Sequence, residues 1–251
     1  MDLQLTAKRA IVTGGSRGLG KAIALQLAQE GVDVVIAARG ADALNTTALE
    51  LEAATGRRIV PVTTDVGLDA SVDALIAKAI EVLGGVDILI NNAAAPGAGK
   101  AARIAEVDSA RMLHDIDIKV GGYLRAARAA VPHMMSAGWG RIINIGGLAA
   151  RRTGNYVSAL RNAAISAITK NVADELGPCA ISSIAIHPGF LRTAGADQSA
   201  EERARRSTNL GRLIEFSEIA WLSAVLASPR CTVINGETIQ AAGGTPGIIN
   251  Y

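Results

Sequence analysis

Ile11-Val12-Thr13-Gly14-Gly15-Ser16-Arg17-Gly18-Leu19-Gly20 is the stretch that decides the fold. It continues an apolar run from Ala10 to Val12 that reads as a short buried strand. It leads into Lys21-Ala22-Ile23-Ala24-Leu25-Gln26-Leu27-Ala28, whose apolar spacing reads as a helix. A strand, a glycine turn and a helix start make the geometry of a dinucleotide site. The glycines omit Cβ atoms where the backbone turns sharply and where a pyrophosphate comes close. The helix start offers unpaired N–H groups and the positive end of a dipole to the phosphates. Gly14, Ser16, Arg17, Gly18, Leu19 and Gly20 are therefore expected to contact the cofactor.

Outward from this turn, the 251 residues suit one α/β domain over 1–251. Apolar residues make up 49% and aromatic ones 3%, so the core is expected to be aliphatic, as in parallel strands covered on both faces. A net charge of +2 gives no reason to expect nucleic acid or an acidic membrane as partner. No apolar run approaches a membrane span, and no signal-peptide core follows the N-terminus. Cys179 and Cys231 lack metal-ligand spacing and read as ordinary small residues. No metal site is expected, and the expected location is the cytoplasm.

Strand and helix patterns alternate along the chain. Strands are expected at 33–38, 58–63, 86–90, 141–145, 182–186 and 237–240. Helices are expected at 41–55, 70–83, 109–136, 157–176 and 215–227, with a Gly/Ala-rich loop at 95–102. The polar, weakly patterned stretch 193–208 reads as a mobile flap over the substrate. Repeated strand–helix units predict a doubly wound parallel sheet of the Rossmann type, with helices on both faces and right-handed crossovers.

In such a sheet the ligand lies at the carboxyl ends of the strands. The segments there include Asp65-Val66, Asn91 to Ala94, Gly146-Gly147 and Pro188-Gly189. Asp65 is expected to accept from the adenine amine, and Val66 to pack beside the ring or offer its N–H. About twenty residues beyond the glycine turn, an acidic residue at the end of the second strand would bind the ribose 2′-OH of NAD. Ala38-Arg39 stands there instead. A guanidinium pairs with a 2′-phosphate, and Arg17 offers a second one, so NADP(H) is expected ahead of NAD.

With these motifs placed, the chain resembles the short-chain dehydrogenase/reductase family along essentially its whole length. Thr-Gly-x-x-x-Gly-x-Gly stands at Thr13, Gly14, Gly18 and Gly20. The family's Asn-Asn-Ala-Gly appears as Asn91-Asn92-Ala93-Ala94, its Pro-Gly as Pro188-Gly189, and its last strand within 234–244. The resemblance implies NAD(P)(H) binding, contacts from Asn92, Ala93, Pro188 and Gly189, and Thr193 at the nicotinamide amide. It also implies seven strands and a homo-oligomer, a tetramer or dimer, packed through the long helices and the last strand.

The family's catalytic Asn-Ser-Tyr-Lys tetrad is replaced throughout. Neighbouring residues set the register: Lys119 stands at the Asn, Gly147 at the Ser, Ser158 at the Tyr and Asn162 at the Lys. Asn and Lys have thus exchanged places. In the family these two side chains approach each other through a water, so the Lys119 ammonium is expected near the lysine's usual region, holding ribose hydroxyls or polarising a carbonyl. Ser158 is a poor substitute for a phenol, being far less acidic and nearer the backbone. Tyr156 is a rescue candidate for the proton only if it precedes the helix, because two residues along a helix rotate a side chain by about 200°. His187 reads as structural, His114 and His133 as surface or interface residues, and Trp139 and Trp221 as packing residues. Three readings remain for a small-molecule substrate: an NADP(H)-dependent oxidoreductase on a carbonyl or alcohol, a non-redox lyase, isomerase or cyclase, and a silent nucleotide-binding protein.

Overall fold

A computed structural model describes residues 2–95 and 103–246. Seven parallel strands form one sheet: β1 (Arg9–Thr13), β2 (Asp33–Ala38), β3 (Ile59–Thr63), β4 (Ile88–Asn91), β5 (Gly140–Ile145), β6 (Ile181–Pro188) and β7 (Thr238–Ala241). Their order is β3-β2-β1-β4-β5-β6-β7, which reverses direction between β1 and β4. A crevice opens at that switch point, above the carboxyl ends of the strands.

The strands are apolar runs because both faces are covered. Val12, Ile36, Ile90 and Ile143 pack on one side against α1 (Gly18–Gln29), α2 (Ala41–Thr55) and α8 (Phe216–Ala227). Ile11, Val35, Leu89 and Ile142 pack on the other against α3 (Asp69–Leu83) and α5 (Gly122–Ala137). α4 (Ser109–Ile116) precedes α5, and α6 (Tyr156–Leu176) and α7 (Gln198–Ser207) complete the set.

Most expected elements are present, and the differences have local causes. The continuous helix expected at 109–136 is interrupted by one π-helical turn, Asp117–Gly121, which carries Lys119. The expected flap holds a regular helix, α7, started by Asp197, whose side chain accepts from the Ala200 N–H at 2.9 Å. It is legible only as polar sequence because Ala204 is its single buried residue. Trp221 is 57% exposed and so is not a core residue, whereas the Trp139 ring lies beside Lys8 and Arg141. Of the expected loop 95–102, residues 96–102 lie outside the described residues.

Polar ties fix the strand ends. The buried Thr13 hydroxyl accepts from the N–H groups of Asn92 and Ala93, at 3.0 and 3.1 Å, and donates to the Ile90 carbonyl at 3.2 Å. Asn91 donates to Asn144 at 2.9 Å, and Asn144 donates to Thr169 of α6 at 3.0 Å. Replacing Thr13 by the isosteric Val leaves two backbone donors without their acceptor. Urea unfolding of Thr13→Val is expected to show a loss of about 2–4 kcal/mol; an unchanged midpoint would contradict this role.

Candidate functional site

The glycine turn is built by close approach. Gly14 has φ +68°, and its N–H and that of Gly15 donate to the Ala37 carbonyl at 2.7 and 3.2 Å. A Cβ on Gly14 would stand 2.8 Å from Asn92 Nδ2, and a Cβ on Gly20 would collide with the Gly14 carbonyl. Asn92 Nδ2 itself donates to the Thr13 and Gly14 carbonyls at 3.0 and 3.3 Å. α1 begins after Arg17 with no side-chain cap, which leaves its first N–H groups for an anion.

A cleft of about 550 Å³ follows this turn. Its walls bring together Gly14, Ser16, Arg17, Gly18, Arg39, Asp65, Val66, Asn92 and Ala93 of the expected contacts. Arg17 and Arg39 are both exposed at its edge. Asp65 is also tied locally, its carboxylate accepting from the Gly67 N–H at 2.9 Å. The lining residues that were not expected include Gly40, Ala43 and Thr64 beside the strand ends, and His114 and Ile118, one helical turn apart on α4 and the π turn. For His114 and Ile118 the spacing of four was the available signal. Leu19 and Gly20 are buried beneath the turn and do not line the cleft, so their part is packing at close range. Pro188 ends β6 and is buried; the Gly189 N–H donates to the Ala241 carbonyl at 3.0 Å. Thr193 is exposed in the segment that follows.

Lys119, the residue after Ile118 of the cleft wall, is in direct contact with Asn162. Lys119 Nζ donates to Asn162 Oδ1 at 3.0 Å and to the Gly146 carbonyl at 3.3 Å. Asn162 Nδ2 donates to the Ser158 carbonyl one turn earlier at 2.8 Å. A Cβ on Gly147 would lie 3.2 Å from Asn162 Nδ2, so Lys119, Gly147, Ser158 and Asn162 share one locus. Tyr156 is the first residue of α6, not part of the preceding loop, and is 46% exposed. Helical geometry therefore turns it away from the face of Ser158 and Asn162. Tyr123, by contrast, is fully buried and donates to the Ile145 carbonyl at 2.8 Å; burial raises its pKa above the ordinary phenol value.

Lys119 is 5% exposed. Burial, and then repulsion from Arg161, push its ammonium down to about 7. His187 is buried against Gly146, and burial, then Lys119 and Arg151, lower it to about 4, so its imidazole is neutral at pH 7. No cluster of His, Cys, Asp and Glu able to hold a metal exists among the described residues.

Comparison with known proteins places this geometry. A family model described as Enoyl-(Acyl carrier protein) reductase matches residues 14–245. The short-chain reductase protein NovJ of Streptomyces niveus is 33% identical, over 94% of this chain and 93% of its own. Dehydrogenase/reductase SDR family member 4 of Oryctolagus cuniculus is 32% identical, over 96% of this chain and 95% of its own. The L-sorbose reductase of Gluconobacter frateurii, solved with NADPH and L-sorbose, superposes with a TM-score of 0.92 at 28% identity, covering 99% of this chain and 100% of that one.

The Lys119 site makes a signed prediction. Between about pH 7 and the ordinary lysine value the unfolded chain binds more protons than the folded one, so this residue's contribution to stability rises with pH there. Its penalty is fully present below that window. Lys119→Met removes the effect. From pH 7 to 10, the stability difference between wild type and Lys119→Met in urea should move toward the wild type, on the order of a few kcal/mol. A difference independent of pH would mean that the ammonium is not buried.

Proposed function

The chain belongs to the short-chain dehydrogenase/reductase family, and from that premise we propose that it is an NADP(H)-dependent oxidoreductase acting on a carbonyl or alcohol. The observation that carries this reading is the uncapped glycine turn, flanked by Arg17 and Arg39, opening into a cleft whose wall includes Ile118, the residue before Lys119. The walls fit the cofactor. Gly14, Ser16, Arg17, Gly18 and the start of α1, with Leu19 and Gly20 beneath, would hold the pyrophosphate and, through Arg17 and Arg39, the 2′-phosphate. Asp65 and Val66 would hold the adenine, and Asn92, Ala93, Pro188, Gly189 and Thr193 the nicotinamide half. When bound, the reduced cofactor supplies a hydride to a carbonyl carbon.

This chain's own residues do the rest. An ammonium has three N–H groups, and Lys119 uses two of them on Asn162 and Gly146. The third is offered to the substrate oxygen, where it stabilises developing negative charge and passes a proton. A donor lowered to about 7 suits that transfer at neutral pH. Asn162 orients the ammonium, and Ser158 holds Asn162 through its carbonyl. Tyr156, exposed at the helix start, is assigned to the substrate entrance and not to the proton.

The substrate is a small molecule, with 193–208 as the segment over it and the whole chain, 1–251, as one domain. Exposed apolar residues on the long helices, Leu124 and Leu160 among them, support a homo-oligomer, a tetramer or dimer. Two free cysteines support a cytoplasmic location. No described helix is long and apolar enough to cross a membrane.

NADPH oxidation at 340 nm with a panel of ketones and aldehydes tests the activity. Arg39→Ala should weaken NADPH at least tenfold while leaving NADH within about twofold. Lys119→Met should lower kcat/KM at least 100-fold, a size expected on loss of a single charge-stabilising donor. Product formation with no change in the cofactor spectrum would move the protein to the non-redox class, and cofactor binding without any product would make it a silent binding protein.

A further inference from the structure

Around Lys119 stand nitrogen groups that lack a counter-charge among the described residues. Among the described residues, Lys119 bonds to a neutral amide and a neutral carbonyl. Arg161 precedes Asn162 on α6. Val157 and Ile165, one turn away on either side of it, are both buried, so Arg161 starts out from an inward face. Its Nε and Nη1 are buried and unpartnered among the described residues. His187 is 2% exposed, its Nε2 is likewise buried and unpartnered, and its ring fills the space where a Gly146 side chain would stand. These groups act on one another: Arg161 depresses Lys119, and Lys119 and Arg151 depress His187. No acidic group raises either of them. Asp115, one turn before Lys119 on α4, is buried as well, but its Oδ2 is also unpartnered and so does not answer the cations.

A buried cation without a partner is costly, and a ligand anion that enters beside it offsets that cost. We infer that the substrate carries a carboxylate near its reacting carbonyl, held by Arg161 with the His187 imidazole as a further donor, while the Lys119 ammonium stays on the reacting oxygen and adds its charge at longer range. The planar guanidinium fork favours a carboxylate over a single-point acceptor. The inference rests on the oxidoreductase reading for turnover, but not for binding.

Benzoylformate and benzoylformamide share a carbonyl and a ring and differ in charge. With the protein loaded with NADP+, so that nothing is reduced, calorimetric titration should show the acid binding at least tenfold tighter than the amide. Equal affinity, or no binding of the acid, overturns the inference. With NADPH, kcat/KM should follow the same order. Arg161→Met should bring the acid-to-amide ratio toward one, and Arg161→Lys should keep part of it. An equal fall for both substrates marks Arg161 as structural and removes it from the site. Should Arg161→Met fail to fold, the wild-type titration alone decides. Selective binding of the acid without NADPH oxidation leaves the carboxylate site standing and removes the oxidoreductase reading.

Discussion

The Thr13 hydroxyl is the tie on which the crevice depends. It sits where β1 ends and the order of the sheet reverses, and it accepts two N–H groups from the segment after β4. Those two donors have no ladder partner once the strands separate, and an unpaired buried N–H is costly. A single side-chain oxygen satisfies both and so fixes the floor of the cleft. Asn92 then reaches back to the Thr13 and Gly14 carbonyls, which sets the height of the glycine turn above that floor. Any side chain at Gly14 or Gly20 would push the two apart.

The Lys119–Asn162 locus is governed by charge, not by backbone. Asn91, Asn144 and Thr169 bind β4, β5 and α6 to one another, and Tyr123 binds α5 to the end of β5. This network is neutral and leaves little freedom to the helices that carry Lys119 and Asn162. The ammonium therefore lies in a rigid, poorly solvated place with neutral acceptors. Such a place keeps an amine close to its neutral form and makes it respond strongly to any charge that arrives.

Much of this was legible in the sequence. Parallel strands buried on both faces read as unbroken aliphatic runs, and Ala41–Thr55 shows its helix and its glycine stop plainly. The glycine turn and most of the cleft wall follow from strand ends alone. The sequence was silent where the signal is a single residue or a contact across elements. α7 buries only Ala204, so no apolar period marks it. The π turn leaves the helical pattern running on either side and appears only in the backbone. The proposed exchange of Lys119 and Asn162 can be read only by register against the family, and their 3.0 Å contact needs the packing of the π turn against α6. That Arg161 and His187 lack partners is a property of the folded interior that no local pattern records.

The proposed exchange of Lys119 and Asn162 also accounts for the surrounding replacements. A lysine and an asparagine occupy two neighbouring helices in either arrangement, so volume and hydrogen-bond capacity are kept while the charge moves from α6 to the π turn. A phenol needs a nearby cation to release its proton at neutral pH, whereas an amine lowered by burial does not. With Lys119 as the proposed donor no phenol is called for, and Ser158 takes part through its carbonyl, which accepts from Asn162. Gly147 then follows sterically: a side chain there would press on Asn162, which must stay free to hold the ammonium. On the proposed reading, the four departures from the family pattern form one change centred on Lys119, with the other three residues accommodating it.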